Sequence, residues 1–338
     1  MSDSLAKYDT VISKLGETYD KGHASGELSF FSSTTSTHTE GGIEFEIRLC
    51  PSLANKDKPC GTENPPPKPV EKKPDPFMPP YKEGLYVGEI TEDDESYVVL
   101  LNKYSVVPHH FLLVTKDFKF QTSPLTPPEL TAAYKLLIAA KRTGRSFLMF
   151  FNCGEASGSS QGHKHTQFLP LDDPTGPPIE KLARSKRLET DGKAFSISSL
   201  PYANHIMRLP DNLPTTASSE EITDVLAQAY IRLLDLTIET FMHQSASEHR
   251  GPTAYNVLMT LQHLHLIPRG QGECELSSGK GRLPVNALGF TGMLMVKSEA
   301  EGQALREETV LRVLSAVGLM DVNAQDDRGP STTESGSS

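Results

Sequence analysis

Apolar positions recur with two different periods along the chain, and this contrast predicts which segments are helices and which are strands. Apolar residues spaced three and four apart predict helices over residues 4–19, 128–142, 219–244 and 299–317. Short apolar or alternating runs predict strands over residues 43–50, 97–102, 111–115, 147–152, 163–169, 205–209, 255–261 and 289–296. Strands and helices do not alternate regularly, so the pattern favours an α+β fold over a doubly wound sheet.

Three segments interrupt this pattern and predict the organisation of the chain. Residues 54–80 combine proline and charge so densely that we expect an exposed loop or linker, since proline ends helices and central strands. The stretch "LDDPTGPPIE" at residues 171–180 indicates a boundary between an N-terminal region, 1–170, and a C-terminal region, 180–320. Residues 322–338 lack bulky apolar side chains and are predicted to be disordered.

Charge and composition narrow the possible function classes. The formal net charge is -10, which argues against nonspecific nucleic-acid binding because that binding needs a basic surface. The chain has four scattered cysteines without metal-binding spacing, which we interpret as reduced thiols. It has no apolar run of about 18 residues, so we expect a soluble protein without a membrane segment, located in the cytoplasm or nucleus.

The stretch "SGSSQGHKHTQ" at residues 157–167 carries the clearest candidate chemistry. On a strand, alternate side chains share a face, so His163, His165 and Gln167 are expected to form a polar row. Three interpretations of this row are open: histidines that are merely exposed or hydrogen-bonded, a metal site, and nucleophilic catalysis by an imidazole at phosphorus. No further Cys, Asp or Glu lies nearby at a useful spacing for a metal, but the row alone does not decide.

The loop before the row favours catalysis at phosphorus. Gly158 permits backbone angles that other residues avoid, so the loop can turn its amides and hydroxyls toward an anion. A neutral imidazole with one nitrogen bonded to a carbonyl and the other free can attack phosphorus near neutral pH. A glutamine amide can donate to the charged oxygens at any pH. Together these groups predict phosphoryl or nucleotidyl transfer.

The same stretch resembles a known family. "GSSQGHKHTQ" is similar to the histidine-triad superfamily, in the branch where glutamine replaces the third histidine, which galactose-1-phosphate uridylyltransferases and ATP adenylyltransferases share. "NCGEASGSSQGHKHTQ", "YNVLMTLQHLHLIPR" and "VNALGFTGMLMVK" resemble the fungal ATP adenylyltransferases, also called diadenosine tetraphosphate phosphorylases. The resemblance covers about residues 43–320, apart from the proline-rich segment and residues 172–215. It implies a histidine-triad-like antiparallel sheet with flanking helices.

The resemblance also implies site residues. His165 matches the nucleophile for the α-phosphorus, His163 matches a residue that helps to position the site, and Gln167 matches the residue that holds the nonbridging phosphate oxygens. The implied substrate contacts are Lys56, with Lys58 as the alternative, and Asn102, Lys103, Asn152, Gly158, Ser159, Ser160, Gln161, Asn286, Ala287, Leu288, Met293 and Lys297. The second histidine pair, His263 and His265, has neither the loop nor the glutamine and is interpreted as structural.

The implied activity is reversible phosphorolysis of diadenosine tetraphosphate to ATP and ADP through an adenylyl-histidine intermediate. The N-terminal region would hold the catalytic motif, and the C-terminal region would complete the nucleotide site. A divalent cation, Mg²⁺ or Mn²⁺, would accompany the polyphosphate rather than occupy a metal site of the protein. The expected ligands are nucleotides and phosphate, and the expected unit is a monomer. A dinucleoside polyphosphate hydrolase, a hexose-1-phosphate uridylyltransferase and a non-catalytic nucleotide sensor remain alternatives.

Overall fold

An eight-stranded antiparallel sheet forms the centre of the computed structural model, which describes residues 2–52, 74–188, 190, 192–244, 253–276 and 281–321. The strands in chain order are β1 (Ser29–Phe30), β2 (Thr34–Glu40), β3 (Ile43–Leu49), β4 (Tyr86–Glu92), β5 (Glu95–Leu101), β6 (Tyr104–Ser105), β7 (Phe111–Thr115), β8 (Ser146–Cys153), β9 (His165–Leu171), β10 (His205–Arg208), β11 (Ala254–Met259), β12 (His263–Arg269), β13 (Glu273–Glu275), β14 (Arg282–Pro284) and β15 (Met293–Val296). The central sheet has the order β10-β12-β11-β8-β9-β7-β5-β4. β9, which begins at His165, therefore lies in its middle.

Helices cover one face of this sheet. The helices are α1 (Ser2–Ser25), α2 (Pro127–Arg142), α3 (Pro178–Ser185), α4 (Ser219–His243), α5 (Ala287–Thr291), α6 (Glu299–Glu308) and α7 (Val310–Val317). α1, α2 and α4 bury their apolar sides against alternate residues of the strands, among them Met149, Phe151 and Phe168. Ser218 caps α4, since its hydroxyl accepts from the Glu221 amide at 3.1 Å and the Glu221 carboxylate accepts from the Ser218 amide at 2.6 Å.

The opposite face of the sheet is covered by a smaller layer from both halves of the chain. A three-stranded sheet of order β15-β3-β2 lies here, together with α3, α5, α6 and α7. The apolar residues that line this second core include Leu148, Phe150, Leu169 and Leu258 of the central sheet. His165 and Gln167 alternate with Phe168, which faces the helices, so their side chains belong to this second face.

The structure confirms the α+β class and the antiparallel sheet with flanking helices, and it corrects two element predictions. The predicted strand over 289–296 is wrong in its first part, because Asn286 caps the short helix α5 and Gly292, at φ 92°, ends it before β15. The predicted helix over 299–317 is divided at Thr309, at φ 70°. The Glu40 carboxylate then accepts from the Val310 amide at 2.7 Å and caps α7 from a distant strand.

The prediction of an exposed loop over residues 54–80 is also wrong in part. Residues 53–73 lie outside the described residues, but Phe77 is only 9% exposed and packs with Val98, Leu100 and Leu112 against the sheet. The predicted disordered tail, 322–338, lies outside the described residues too. None of the helices in the described ranges has the length and apolar character needed to span a bilayer.

Candidate active site

His165 lies at the centre of the second face, and its ring is held in one tautomer. Its Nδ1 is 2.8 Å from the carbonyl oxygen of His163, to which it donates, so Nε2 carries the free lone pair. The side chain lines a cavity of about 740 Å³. Burial lowers the pKa of His165 to about 4, which keeps the ring neutral at physiological pH. A neutral imidazole with an available lone pair is a competent nucleophile.

Gln121 fixes the backbone around this histidine. Its Oε1 accepts from the His165 amide at 2.8 Å, while its Nε2 donates to the His165 carbonyl at 3.2 Å and to the Asn152 carbonyl at 2.9 Å. The buried amide thus ties the start of β9 to the end of β8. Sequence reasoning missed Gln121, because it lies in an irregular segment 44 residues before His165.

Gln167 is oriented by a hydrogen-bond chain that starts at Asn102. The Asn102 amide donates to His110 Nδ1 at 3.0 Å, and His110 Nε2 then donates to Gln167 Oε1 at 3.1 Å. Burial lowers the pKa of His110 to about 4, so the ring stays neutral and keeps these directions. The chain leaves the Gln167 amide nitrogen to donate into the cavity. His110 was not predicted, and its only sequence signal is a histidine at the entry to the apolar strand β7.

The loop after β8 forms one wall of the cavity. Asn152 Oδ1 accepts from Asn256 Nδ2 at 2.8 Å and from the Ala287 amide at 3.0 Å, which joins the two halves of the chain. Gly158 has φ 85°, and a Cβ built there would lie 2.8 Å from the Asn286 Cβ, so both the backbone angle and the close approach require glycine. Ser159, Ser160 and Gln161 follow it along the same wall.

Arg269 holds the two halves together from behind this wall. It is 0% exposed, and it donates to the Ser157 carbonyl at 3.2 Å, to Asn256 Oδ1 at 2.6 Å and to the Val285 carbonyl at 2.7 Å. Burial lowers the pKa of Arg269 to about 9, which still leaves it charged at neutral pH. No sequence pattern singles out this arginine, because its acceptors are backbone and amide oxygens that only the fold brings together.

The structure brings most of the predicted contact residues to one cavity. Those that line it are Asn102, Lys103, Asn152, Gly158, Ser159, Ser160, Gln161, His165, Gln167, Asn286, Leu288, Met293 and Lys297. Ala287 is fully buried beside the wall and meets Asn152 through its amide rather than lining the cavity. Lys56 lies outside the described residues. Arg48 and Lys82 also line the cavity and add positive charge that was not predicted.

His163 departs from the predicted row. It precedes β9, and its buried ring does not line the cavity. Its Nδ1 lies 2.8 Å from Asp75 Oδ2, and its Nε2 lies 2.8 Å from the Thr115 carbonyl oxygen. The reason is that residues 74–77, near the end of the proline-rich segment, fold against the strand, where Asp75 forms a hydrogen bond with the ring. His163 therefore contacts the site through its backbone carbonyl, which accepts from His165 Nδ1.

The second histidine pair has a buried carboxylate as its partner. His263 Nδ1 is 2.8 Å from Glu180 Oε1, and His265 Nε2 is 3.7 Å from Glu180 Oε2. Burial raises the pKa of Glu180, but the hydrogen bond from His263 and the proximity of His265 outweigh burial and lower it overall. Neither histidine lines the cavity. Within the described ranges, no group of three or more His, Cys, Asp or Glu side chains is placed to hold a metal ion.

Two family models and two curated relatives match this chain. Residues 1–185 match the family model described as the Ap4A phosphorylase N-terminal domain, and residues 198–320 match the ATP adenylyltransferase C-terminal domain. Diadenosine 5',5'''-P1,P4-tetraphosphate phosphorylase 2 of Saccharomyces cerevisiae is 32% identical over 275 residues, which cover 78% of this chain and 80% of the relative. Protein APA1 of the same yeast is 26% identical over 93% of this chain and 96% of its own length.

A solved structure shares the fold. The crystal structure of yeast Ap4A phosphorylase Apa2 in complex with Ap4A has a TM-score of 0.73 and 28% sequence identity, covering 90% of this chain and 96% of that chain. The structure of Apa2 in complex with AMP has a TM-score of 0.75 and 26% identity, covering 92% of this chain and 97% of that chain. The family matches, the curated relatives and the shared fold lead to one conclusion: this chain belongs to the Ap4A phosphorylase family.

Proposed function

We propose that this protein is a nucleotidyltransferase that phosphorolyses Ap4A reversibly to ATP and ADP through an adenylyl group on His165. The observation that carries the proposal is the His165 ring, whose Nδ1 is bonded to a carbonyl while its Nε2 is free beside a cavity of about 740 Å³. A relative that is 32% identical to this chain is named a diadenosine tetraphosphate phosphorylase, and the structure of Apa2 was solved with Ap4A.

The reaction divides into two displacements at the α-phosphorus. His165 Nε2 forms a bond to phosphorus while the bond from phosphorus to the bridging oxygen breaks, and ATP leaves. A phosphate oxygen then attacks the same phosphorus, the bond to Nε2 breaks, and ADP leaves. The Gln167 amide, oriented by His110, is in place to donate to a nonbridging oxygen as negative charge develops there. The phosphoramidate retains a high transfer potential, so each step is reversible.

The cavity carries charge of both signs. Arg48, Lys82, Lys103 and Lys297 line it and would offset the negative charge of a tetraphosphate chain, while the acidic residues that line it are Glu46, Asp75, Asp172 and Asp173. We propose that Mg²⁺ or Mn²⁺ arrives bound to the polyphosphate, since hard cations of this kind commonly bind through substrate phosphates. We also propose a monomer as the working unit, which sedimentation at assay concentration tests. Location in the cytoplasm or nucleus stays a prediction.

Product analysis distinguishes the proposed reaction from its rivals. Ap4A is incubated with the protein and Mg²⁺ in phosphate-free buffer and in phosphate buffer, and nucleotides are separated by chromatography. Sustained formation of ATP and ADP that requires phosphate is expected. Sustained ATP and AMP in both buffers would mean that water is the acceptor and that the protein is a hydrolase. Unchanged but bound Ap4A would favour a nucleotide sensor, and turnover of a uridine diphosphate sugar instead would favour a uridylyltransferase.

The low pKa of His165 predicts an unusual pH dependence. Because protonated imidazole cannot attack, kcat/KM for Ap4A is expected to be constant on the acid side until the pH approaches about 4. Ap4A has only internal phosphates, which do not titrate near neutral pH, so a change of this parameter in the neutral range reports the protein. Initial rates at low substrate measure it. A fall of kcat/KM below a pH of about 6.5, the pKa of an exposed histidine, would contradict the prediction that the nucleophile is buried and neutral.

A further inference from the structure

Residues 75–77 form a short segment that meets both histidines of the motif. Asp75 Oδ2 lies 2.8 Å from His163 Nδ1, and the Phe77 ring lies 4.9 Å from the His165 ring. Phe77 is also 6.0 Å from the His163 ring and only 9% exposed. Asp75 Oδ1 also accepts from the Phe77 amide at 2.9 Å, so Asp75 is the anchor that connects His163 to Phe77.

The hydrogen bonds of His163 show why Asp75 is a firm anchor. Thr115 Oγ1 donates to the Lys164 carbonyl at 3.4 Å, so both Thr115 oxygens near His163 Nε2 act as acceptors toward the ring. The Asp75 carboxylate is an acceptor as well, at 2.8 Å from Nδ1, so both nitrogens of the ring have a hydrogen-bond partner. The histidine is only 2% exposed, so these bonds hold the ring in a buried position.

Phe77 is an apolar cover beside the nucleophile. It joins Leu100 and Leu112 in one apolar cluster, and all three line the cavity next to His165. An adenylyl group on His165 Nε2 is open to attack by any oxygen nucleophile that reaches it. Water attack would form a P–O bond, break the P–N bond, release AMP and return one proton to solvent. Apolar walls that keep water from a reactive intermediate suppress this reaction.

We propose that Asp75 and Phe77 determine the acceptor: Asp75, by pairing with His163, positions Phe77 over His165 and keeps water from the adenylyl intermediate, so that phosphate is the acceptor. The inference rests on the proposed function. Phe77 is then a specificity-determining residue, and Asp75 is a positioning residue that acts through His163. Both lie in the part of the sequence that pattern analysis assigns to an exposed loop.

The partition of the intermediate tests this inference. Ap4A is supplied with phosphate, and the ratio of AMP to ADP is measured for the wild type and for Phe77→Ala, Asp75→Ala and Asp75→Asn. Phe77→Ala and Asp75→Ala are expected to raise the ratio by about tenfold or more, because water gains access. Asp75→Asn keeps a hydrogen bond to His163 and is expected to raise it less. Phe77→Leu restores an apolar cover and is expected to return the ratio toward that of the wild type.

Phe118→Ala is the matched control. Phe118 is another aromatic residue near His163, with 5.2 Å between ring centroids, but it is 50% exposed and does not line the cavity. Its variant should keep the wild-type ratio. Equal ratios in all variants, or the same rise in Phe118→Ala as in Phe77→Ala, would overturn the inference. Failure of the wild type to release ATP from Ap4A would instead overturn the proposed function, so the two failures are distinguishable.

Discussion

Replacement of His165 by asparagine is expected to lower the rate of ATP release from Ap4A by about 10⁴-fold or more, while Ap4A binding changes little. Asparagine keeps a polar side chain that can donate to the His163 carbonyl, but it has no imidazole lone pair for phosphorus. The residues that line the rest of the cavity are unchanged. Stopped-assay chromatography measures the rate, and equilibrium titration with Ap4A measures binding.

His205→Asn provides the control for this variant. His205 is another buried histidine of the central sheet, with Nε2 2.9 Å from Thr240 Oγ1 of α4, and it lies away from the cavity. Its variant is expected to retain turnover per folded molecule. Turnover in His165→Asn within about tenfold of the wild type would contradict covalent catalysis by His165.

Replacement of Arg269 by methionine is expected to cause the largest loss of stability among single changes near the site. The side chain also donates to the Val317 carbonyl at 3.2 Å and the Gln271 carbonyl at 2.8 Å, so its loss leaves several buried oxygens without a donor. Each such oxygen costs about 1–3 kcal/mol, and partial rearrangement limits the sum, so the free energy of unfolding should fall by roughly 3–5 kcal/mol. Denaturant titration measures it.

Two further variants show whether geometry or charge alone matters at Arg269. Arg269→Lys keeps the charge, but a single ammonium group cannot donate to all of these oxygens. Its free energy of unfolding should therefore lie between those of Arg269→Met and the wild type. Arg282→Met changes an exposed arginine of β14 and should stay within about 0.5 kcal/mol of the wild type. A loss below about 1 kcal/mol in Arg269→Met would contradict the joining role of this arginine.

The site residues that could be predicted from the sequence are those that lie close together along the chain. The glycine and serine loop, His165 and Gln167 lie within ten residues of each other, and their order along a strand determines which face they share. The α+β class could also be predicted, since the longer helices and buried strands show clear periodicity. β2 was missed because Thr34–Glu40 is a polar, largely exposed edge strand without alternation.

The remaining features depend on contacts between distant segments. Asp75 meets His163 across 88 positions, and Arg269 meets Ser157 across 112 positions, so no local pattern can indicate either contact. The division between α6 and α7 has the same origin, because the carboxylate that caps α7 belongs to β2. His110 had a weak signal, but its orientation of Gln167 requires the pairing of β7 with β9. Tertiary contacts thus decide how the motif is held.

A single-turnover experiment without phosphate detects an adenylyl group on His165 directly. Enzyme in excess over Ap4A is mixed with Mg²⁺, quenched in alkali, where phosphoramidates survive, and examined by mass spectrometry of its peptides. We expect one ATP released per adenylylated site, an AMP moiety on the peptide that contains His165, and its conversion to ADP when phosphate is added before the quench. Release of ATP with free AMP and no labelled peptide, under conditions where phosphate still yields ADP, would contradict the account, because phosphate would then attack Ap4A directly.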